Sequence, residues 1–216
     1  MEKITIEDLK EGCSVYDKER RIIAKFIKKI NAKNMLCIGT CTGYTVAKLN
    51  KTFKNLKIDT IDYIPKSDIS LCVVEINDKD KFKEWCNEEH DNWRGLPKEY
   101  LKKLDSKFRK YLRDNNIKNI KLYTEGSDEF FKNNKKNYDL IFIDGDHFYE
   151  VSKRDFNNSL KIINSPGVII MHDIKINPNC KFWGNPQNTC TGVFLEYKGK
   201  KIYIPHTING LGIIIK

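Results

Sequence analysis

Apolar positions along the chain follow two alternating periods. Between residues 19 and 31, Ile22, Ile23, Phe26, Ile27 and Ile30 recur at the spacing of one helix face. Asn34-Met35-Leu36-Cys37-Ile38 is then a short continuous apolar run, the pattern of a buried strand. A glycine turn spans 39–43, and Val46, Ala47 and Leu49 form the inward face of a following helix. Residues 57–62 read as a second strand. Pro97 is placed to open a helix, with Leu101, Leu104, Phe108 and Leu112 on its buried face. Residues 119–123 form a third strand, 127–133 a helix, 138–143 a fourth strand, 151–163 a helix and 168–171 a fifth strand. Residues 201–204 and 211–215 pair as a closing antiparallel hairpin around Asn209-Gly210. Residues 66–95 are less regular, with an extra strand at 69–76 and a charged segment at 78–93.

Strands alternating with helices, followed by a hairpin, predict an α/β fold. The expected form is a Rossmann-like three-layer sandwich whose seven-stranded, mostly parallel sheet ends in a C-terminal antiparallel hairpin. The whole of 1–216 is read as a single domain, with no internal repeats. Residues 174–192, rich in Asn, Pro, Gly and Cys, are read as a long loop of the kind that forms lids or binding segments.

Composition adds limits. Hydrophobic residues make up 40% and charged residues 31% of the 216, which suits a globular chain rather than a disordered one. No apolar run reaches the ~18 residues of a membrane helix, and the first residues lack a signal-peptide core. A cytoplasmic, reducing location is expected. The seven cysteines form no CxxC pair and are odd in number, so reduced thiols are expected throughout. Cys86 and His90 with Cys180 and Cys190 have only a weak zinc-site spacing. The net charge of +10 points toward nucleic acid. Lysine, however, far outnumbers arginine and is spread along the chain, which favours a solvated basic surface over a nucleic-acid site.

The chemistry concentrates at strand ends. Asp139-Leu140-Ile141-Phe142-Ile143-Asp144-Gly145-Asp146-His147 and Gly167-Val168-Ile169-Ile170-Met171-His172-Asp173 are each a buried run ending in acids and imidazole. Carboxyl ends of neighbouring parallel strands line the ligand crevice of an open sheet. Ile38-Gly39-Thr40-Cys41-Thr42-Gly43 lies between the first strand and its helix, and Asp62 follows Gly43 by 19 residues. A glycine turn at a helix start and an acid ending the next strand suit a nucleoside-containing cofactor, with the acid accepting the ribose hydroxyls.

These motifs resemble the class I S-adenosylmethionine-dependent methyltransferases. The strand ends are most similar to the metal-dependent O-methyltransferase group that includes macrocin O-methyltransferase. Cys37 stands where that family usually has an acid, and Cys41 where its middle glycine is usual. Gly192-Val193-Phe194 and Gly210-Leu211-Gly212-Ile213 match the closing elements, while 66–116 matches poorly and is a candidate insertion or lid. The resemblance implies that Gly39, Thr40, Cys41 and Gly43 line the amino-acid end of S-adenosylmethionine. It further implies that Asp62 holds the ribose and that Gly126 and Ser127 border the adenine. By the same resemblance Asp144 would lie at the cofactor and, with Asp173, would bind a metal such as Mg²⁺, and His147 would be the general base. His172 departs from an all-oxygen metal site and reads as a buried hydrogen-bonding residue.

Carboxylate-bound Mg²⁺ lowers a hydroxyl pKa, and an imidazole takes the proton near neutral pH. The reading is therefore methyl transfer to a hydroxyl oxygen of a small molecule or sugar. An RNA or protein acceptor on the same fold and a non-catalytic cofactor-binding module are the alternatives.

Overall fold

The structure, a computed structural model, describes residues 3–10, 15–64, 98–176, 187, 189–207 and 209–216. A 3-10 turn at Glu7–Leu9 precedes α1 (Asp17–Lys29), β1 (Asn34–Ile38), α2 (Tyr44–Thr52) and β2 (Lys57–Asp62). Then come α3 (Lys98–Asp114), β3 (Ile120–Thr124), α4 (Ser127–Asn133), β4 (Tyr138–Ile143), α5 (Tyr149–Ile162) and β5 (Ile163–His172). The chain closes with α6 (Cys190–Glu196), β6 (Lys201–Ile204) and β7 (Leu211–Ile215). The expected strand at 69–76, the charged segment at 78–93 and Pro97 lie outside the described residues.

The sheet has seven strands in the order β3-β2-β1-β4-β5-β7-β6. Its first five strands are parallel, and β7 enters antiparallel between β5 and β6. This is the α/β Rossmann-like arrangement expected from the sequence.

The strands read as continuous apolar runs because both sheet faces are covered. Met35 and Cys37 pack with Ile23 and Ile27 of α1, Val46 and Leu49 of α2 and Phe108 of α3. Leu36 and Ile38 point the other way, into a second core with Phe130 of α4, Phe156 of α5 and Phe194 of α6. Side chains alternate across a strand, so each strand feeds both layers.

Two expectations are revised. Residues 174–192 are not loop throughout, since α6 begins at Cys190, where the Thr189 hydroxyl accepts from the Thr191 N–H at 3.2 Å. The closing β6–β7 hairpin has the expected bounds and antiparallel pairing. Its Gly210 carbonyl accepts from Ile174 N–H at 3.3 Å, folding the loop back onto the exit of β5. Finally, Cys41 is disulfide-bonded, whereas Cys37 and Cys190 are the free, buried thiols among the described residues. Sequence spacing missed that bond because only folding brings such cysteines together.

Candidate active site

The strand order reverses between β1 and β4, so the helices after these strands leave on opposite faces and open a crevice at their carboxyl ends. Gly39 donates to the Ile61 carbonyl at 3.0 Å and Asp144 N–H to the Ile38 carbonyl at 2.8 Å. These bonds knit the ends of β2, β1 and β4 together. A Cβ on Gly39 would lie 2.1 Å from the Asp144 carbonyl oxygen, so nothing larger than glycine fits. Gly43 sits under the Phe108 ring of α3, where a Cβ would meet the ring at 2.3 Å. Between them Cys41 has φ +48°, a left-handed conformation that favours glycine, which accounts for the residue usual there.

Asp62 ends β2 beside this turn. Its carboxylate accepts from the backbone N–H groups of Cys41 and Tyr63, and burial pushes its pKa up to about 7. Thr40, Cys41, Asp62, Tyr63, Leu101 and Asp105 line a narrow cleft between the turn and α3. A ligand diol would donate to a carboxylate that the fold leaves poorly solvated, so Asp62 fits a ribose. Gly126 caps α4 one strand further along, and the Ser127 hydroxyl donates to Asp155 of α5. Asp155 is 2% exposed, its Oδ1 has no hydrogen-bond partner, and burial raises its pKa to about 6.

The second half of the site lies at the ends of β4 and β5. Asp144, His147 and Asp173 come together, each offering one ligand atom, all within 4.8 Å of one another. His147 Nε2 is 3.4 Å from Asp173 Oδ2. The His147 carbonyl accepts from Cys190 N–H at 3.0 Å, which fixes the β4–α5 loop against α6. Asp173 has φ +55°, a strained position held because its carbonyl accepts from Cys190 Sγ at 3.3 Å and Thr191 Oγ1 at 3.4 Å.

His172 lies behind these acids. Its Nδ1 is 2.7 Å from Asp144 Oδ1 and 3.0 Å from Asp173 Oδ2, and its Nε2 is 3.1 Å from Glu19 Oε2. Burial favours the neutral ring, but the charges of Asp144 and Asp173 override it and hold His172 well above the usual imidazole range. Burial likewise opposes ionisation of Asp173, yet His172 and His147 bring its pKa down to about 2. Glu19, fully buried on α1, also accepts from Tyr16 N–H at 3.2 Å and Asn209 N–H at 3.1 Å. Glu19 was not among the predicted site residues. Its signal was present: it extends the buried stripe Ile23–Ile27 by one helical step, and an acid on an apolar stripe requires a partner.

Among the metal-type candidates, Cys190 is buried and donates to the carbonyls of His172 and Asp173, while Cys86, His90 and Cys180 lie outside the described residues. No helix among the described residues is long and apolar enough to cross a membrane.

The glycine turn, the acid ending β2 and the carboxyl-end crevice together define a class I S-adenosylmethionine-dependent methyltransferase fold. Residues 36–174 match the profile of a family described as "Methyltransferase domain", and the chain belongs to that family. Among curated proteins no sequence matches. A Staphylococcus aureus structure given as a caffeoyl-CoA O-methyltransferase is similar at a TM-score of 0.65 and 18% identity, over 94% of this chain and 85% of that one. An O-methyltransferase from Bacillus cereus in complex with S-adenosylhomocysteine gives 0.60 and 13%, over 95% and 84%. TomG of Streptomyces achromogenes, an O-methyltransferase of tomaymycin synthesis bound to S-adenosylmethionine, gives 0.57 and 11%, over 94% and 82%.

Proposed function

We propose that the chain transfers a methyl group from S-adenosylmethionine to a hydroxyl oxygen of a small molecule or sugar, with His147 as general base. The observation that carries this reading is the pairing of His147 with Asp173 in the crevice that also holds the glycine turn and Asp62. When bound, the cofactor supplies an electrophilic methyl on a sulfonium. The turn Gly39–Gly43 lets the backbone approach its amino-acid end, with Thr40 and Cys41 beside it. Asp62 accepts from its ribose, and Gly126 and Ser127 border the base. His147 directs Nε2 to Asp173 and takes the proton of the acceptor hydroxyl on its other ring nitrogen, and Asp173 stabilises the resulting imidazolium. The similarity to O-methyltransferases that carry this cofactor or its product supports the oxygen acceptor.

Metal assistance was the other expected device. Asp144, His147 and Asp173 have the spacing of a three-donor set. That set uses His147, and an imidazole that binds a metal through one nitrogen carries its proton on the other and cannot also serve as the general base. Both of its carboxylates are already paired with His172, through Asp144 Oδ1 and Asp173 Oδ2. The residues therefore do not fit Mg²⁺, and no step is assigned to it.

Calorimetric titration with S-adenosylhomocysteine tests the cofactor, and a radiolabelled methyl-transfer screen over hydroxylated acceptors tests the reaction. Micromolar binding with labelled ether product supports the reading. Absence of binding overturns it.

A further inference from the structure

The acidic pair that ends β4 and β5 carries a side chain in the place of an ion. Both ring nitrogens of His172 lie at hydrogen-bond distance from carboxylates, Nδ1 from Asp144 and Asp173 and Nε2 from Glu19. Ionised carboxylates only accept hydrogen bonds, so each nitrogen carries a proton and the ring is an imidazolium. The ring is 5% exposed and lies edge-on to Phe142 at 5.9 Å, so water does not compete for these contacts. Asp144 Oδ1 and Asp173 Oδ2 converge on the single atom Nδ1. A divalent ion bridging the same two oxygens would sit beside a buried cation.

We propose that His172 is the built-in counter-cation of this site: seated by Glu19, it fixes and neutralises Asp144 and Asp173 in the place a divalent metal would take. This deepens the proposed function and rests on it for the catalytic meaning. The occupancy of the acidic pair can be measured without turnover. Glu19 lies on α1, outside the matched residues 36–174, so this seat is supplied by a part of the chain beyond the matched domain. Three carboxylates face one imidazolium here, and the second imidazole, His147, approaches Asp173 from the solvent side. His172 acts through the carboxylates and is a positioning residue.

The test is Mn²⁺ binding to the purified chain, read by electron paramagnetic resonance and calorimetry, in wild type and in His172→Asn. The wild type is expected to bind Mn²⁺ no tighter than millimolar. His172→Asn removes the cation, leaves the carboxylates and is expected to bind at least tenfold tighter. Micromolar Mn²⁺ binding by wild type, abolished by Asp144→Asn, overturns the proposal. Should His172→Asn fail to fold, the wild-type titration and its Asp144→Asn control still decide the question. S-adenosylhomocysteine affinity, measured in the same samples, reports separately on the cofactor reading.

Discussion

His172 Nε2 lies 3.1 Å from Glu19 Oε2, a contact that joins the end of β5 to the first helix across 153 positions of sequence. Glu19 also receives the N–H groups of Tyr16 and Asn209, so one carboxylate gathers the start of α1, the end of β5 and the β6–β7 loop. Breaking a buried pair by removing one partner typically costs about 3–5 kcal/mol, because the remaining charge is left uncompensated. Glu19→Ala is expected to lose stability in that range, measured by urea denaturation. Glu19→Gln keeps an acceptor and should lose less.

The base assignment separates turnover from binding. His147 pairs with Asp173 at the end of β5, whereas the glycine turn follows β1. His147→Ala is expected to lower methyl transfer by about 10²–10⁴-fold, the usual contribution of a general base. Affinity for S-adenosylhomocysteine should stay within about twofold. Undiminished turnover in single-turnover assays would remove His147 from that role.

Burial raises the Asp62 carboxyl to about 7, so it is largely protonated below that pH and ionised above it. The ionised form is the better acceptor for ribose hydroxyls. Affinity for S-adenosylhomocysteine is therefore expected to rise from pH 6 to pH 8. Asp62→Asn, which does not titrate, should bind more weakly at pH 8 and show a flat profile. A parallel pH slope in both proteins would exclude Asp62 as its source.

Asp155 is shifted in the same direction, and its shift carries a stability prediction that runs opposite in pH. Its folded pKa, raised to about 6 by burial, lies above that of an unfolded aspartate. The folded state then binds more protons, and stability falls as pH rises through that window. The loss should reach up to about 3 kcal/mol above pH 7, because each unit of displacement is worth about 1.4 kcal/mol. Asp155→Asn keeps an acceptor for Ser127 and removes the charge. It should match wild type near pH 4 and exceed it in melting temperature at pH 8.

Local pattern carried most of the architecture. β2, α4, β4, β6 and β7 have the predicted bounds, because apolar runs buried on both faces and turn residues at their ends are local properties. The glycine turn and the acids at 62, 144 and 173 were legible because strand ends in a parallel sheet face one crevice whatever the rest of the chain does. Glu19 lay outside that logic. Its partner is remote in sequence, and only the packing of α1 against the end of β5 brings the two together. Likewise, sequence placed His172 in a buried strand but could not say which atoms its nitrogens would meet. The disulfide at Cys41 follows the same rule, since chain proximity rather than spacing selects its partner. The sequence by itself determined the sheet, the turn and the identity of the acids. Tertiary structure alone decided that two of those acids, Asp144 and Asp173, join Glu19 around one imidazole, because the charge balance of a buried site depends on distances between elements that no periodicity encodes.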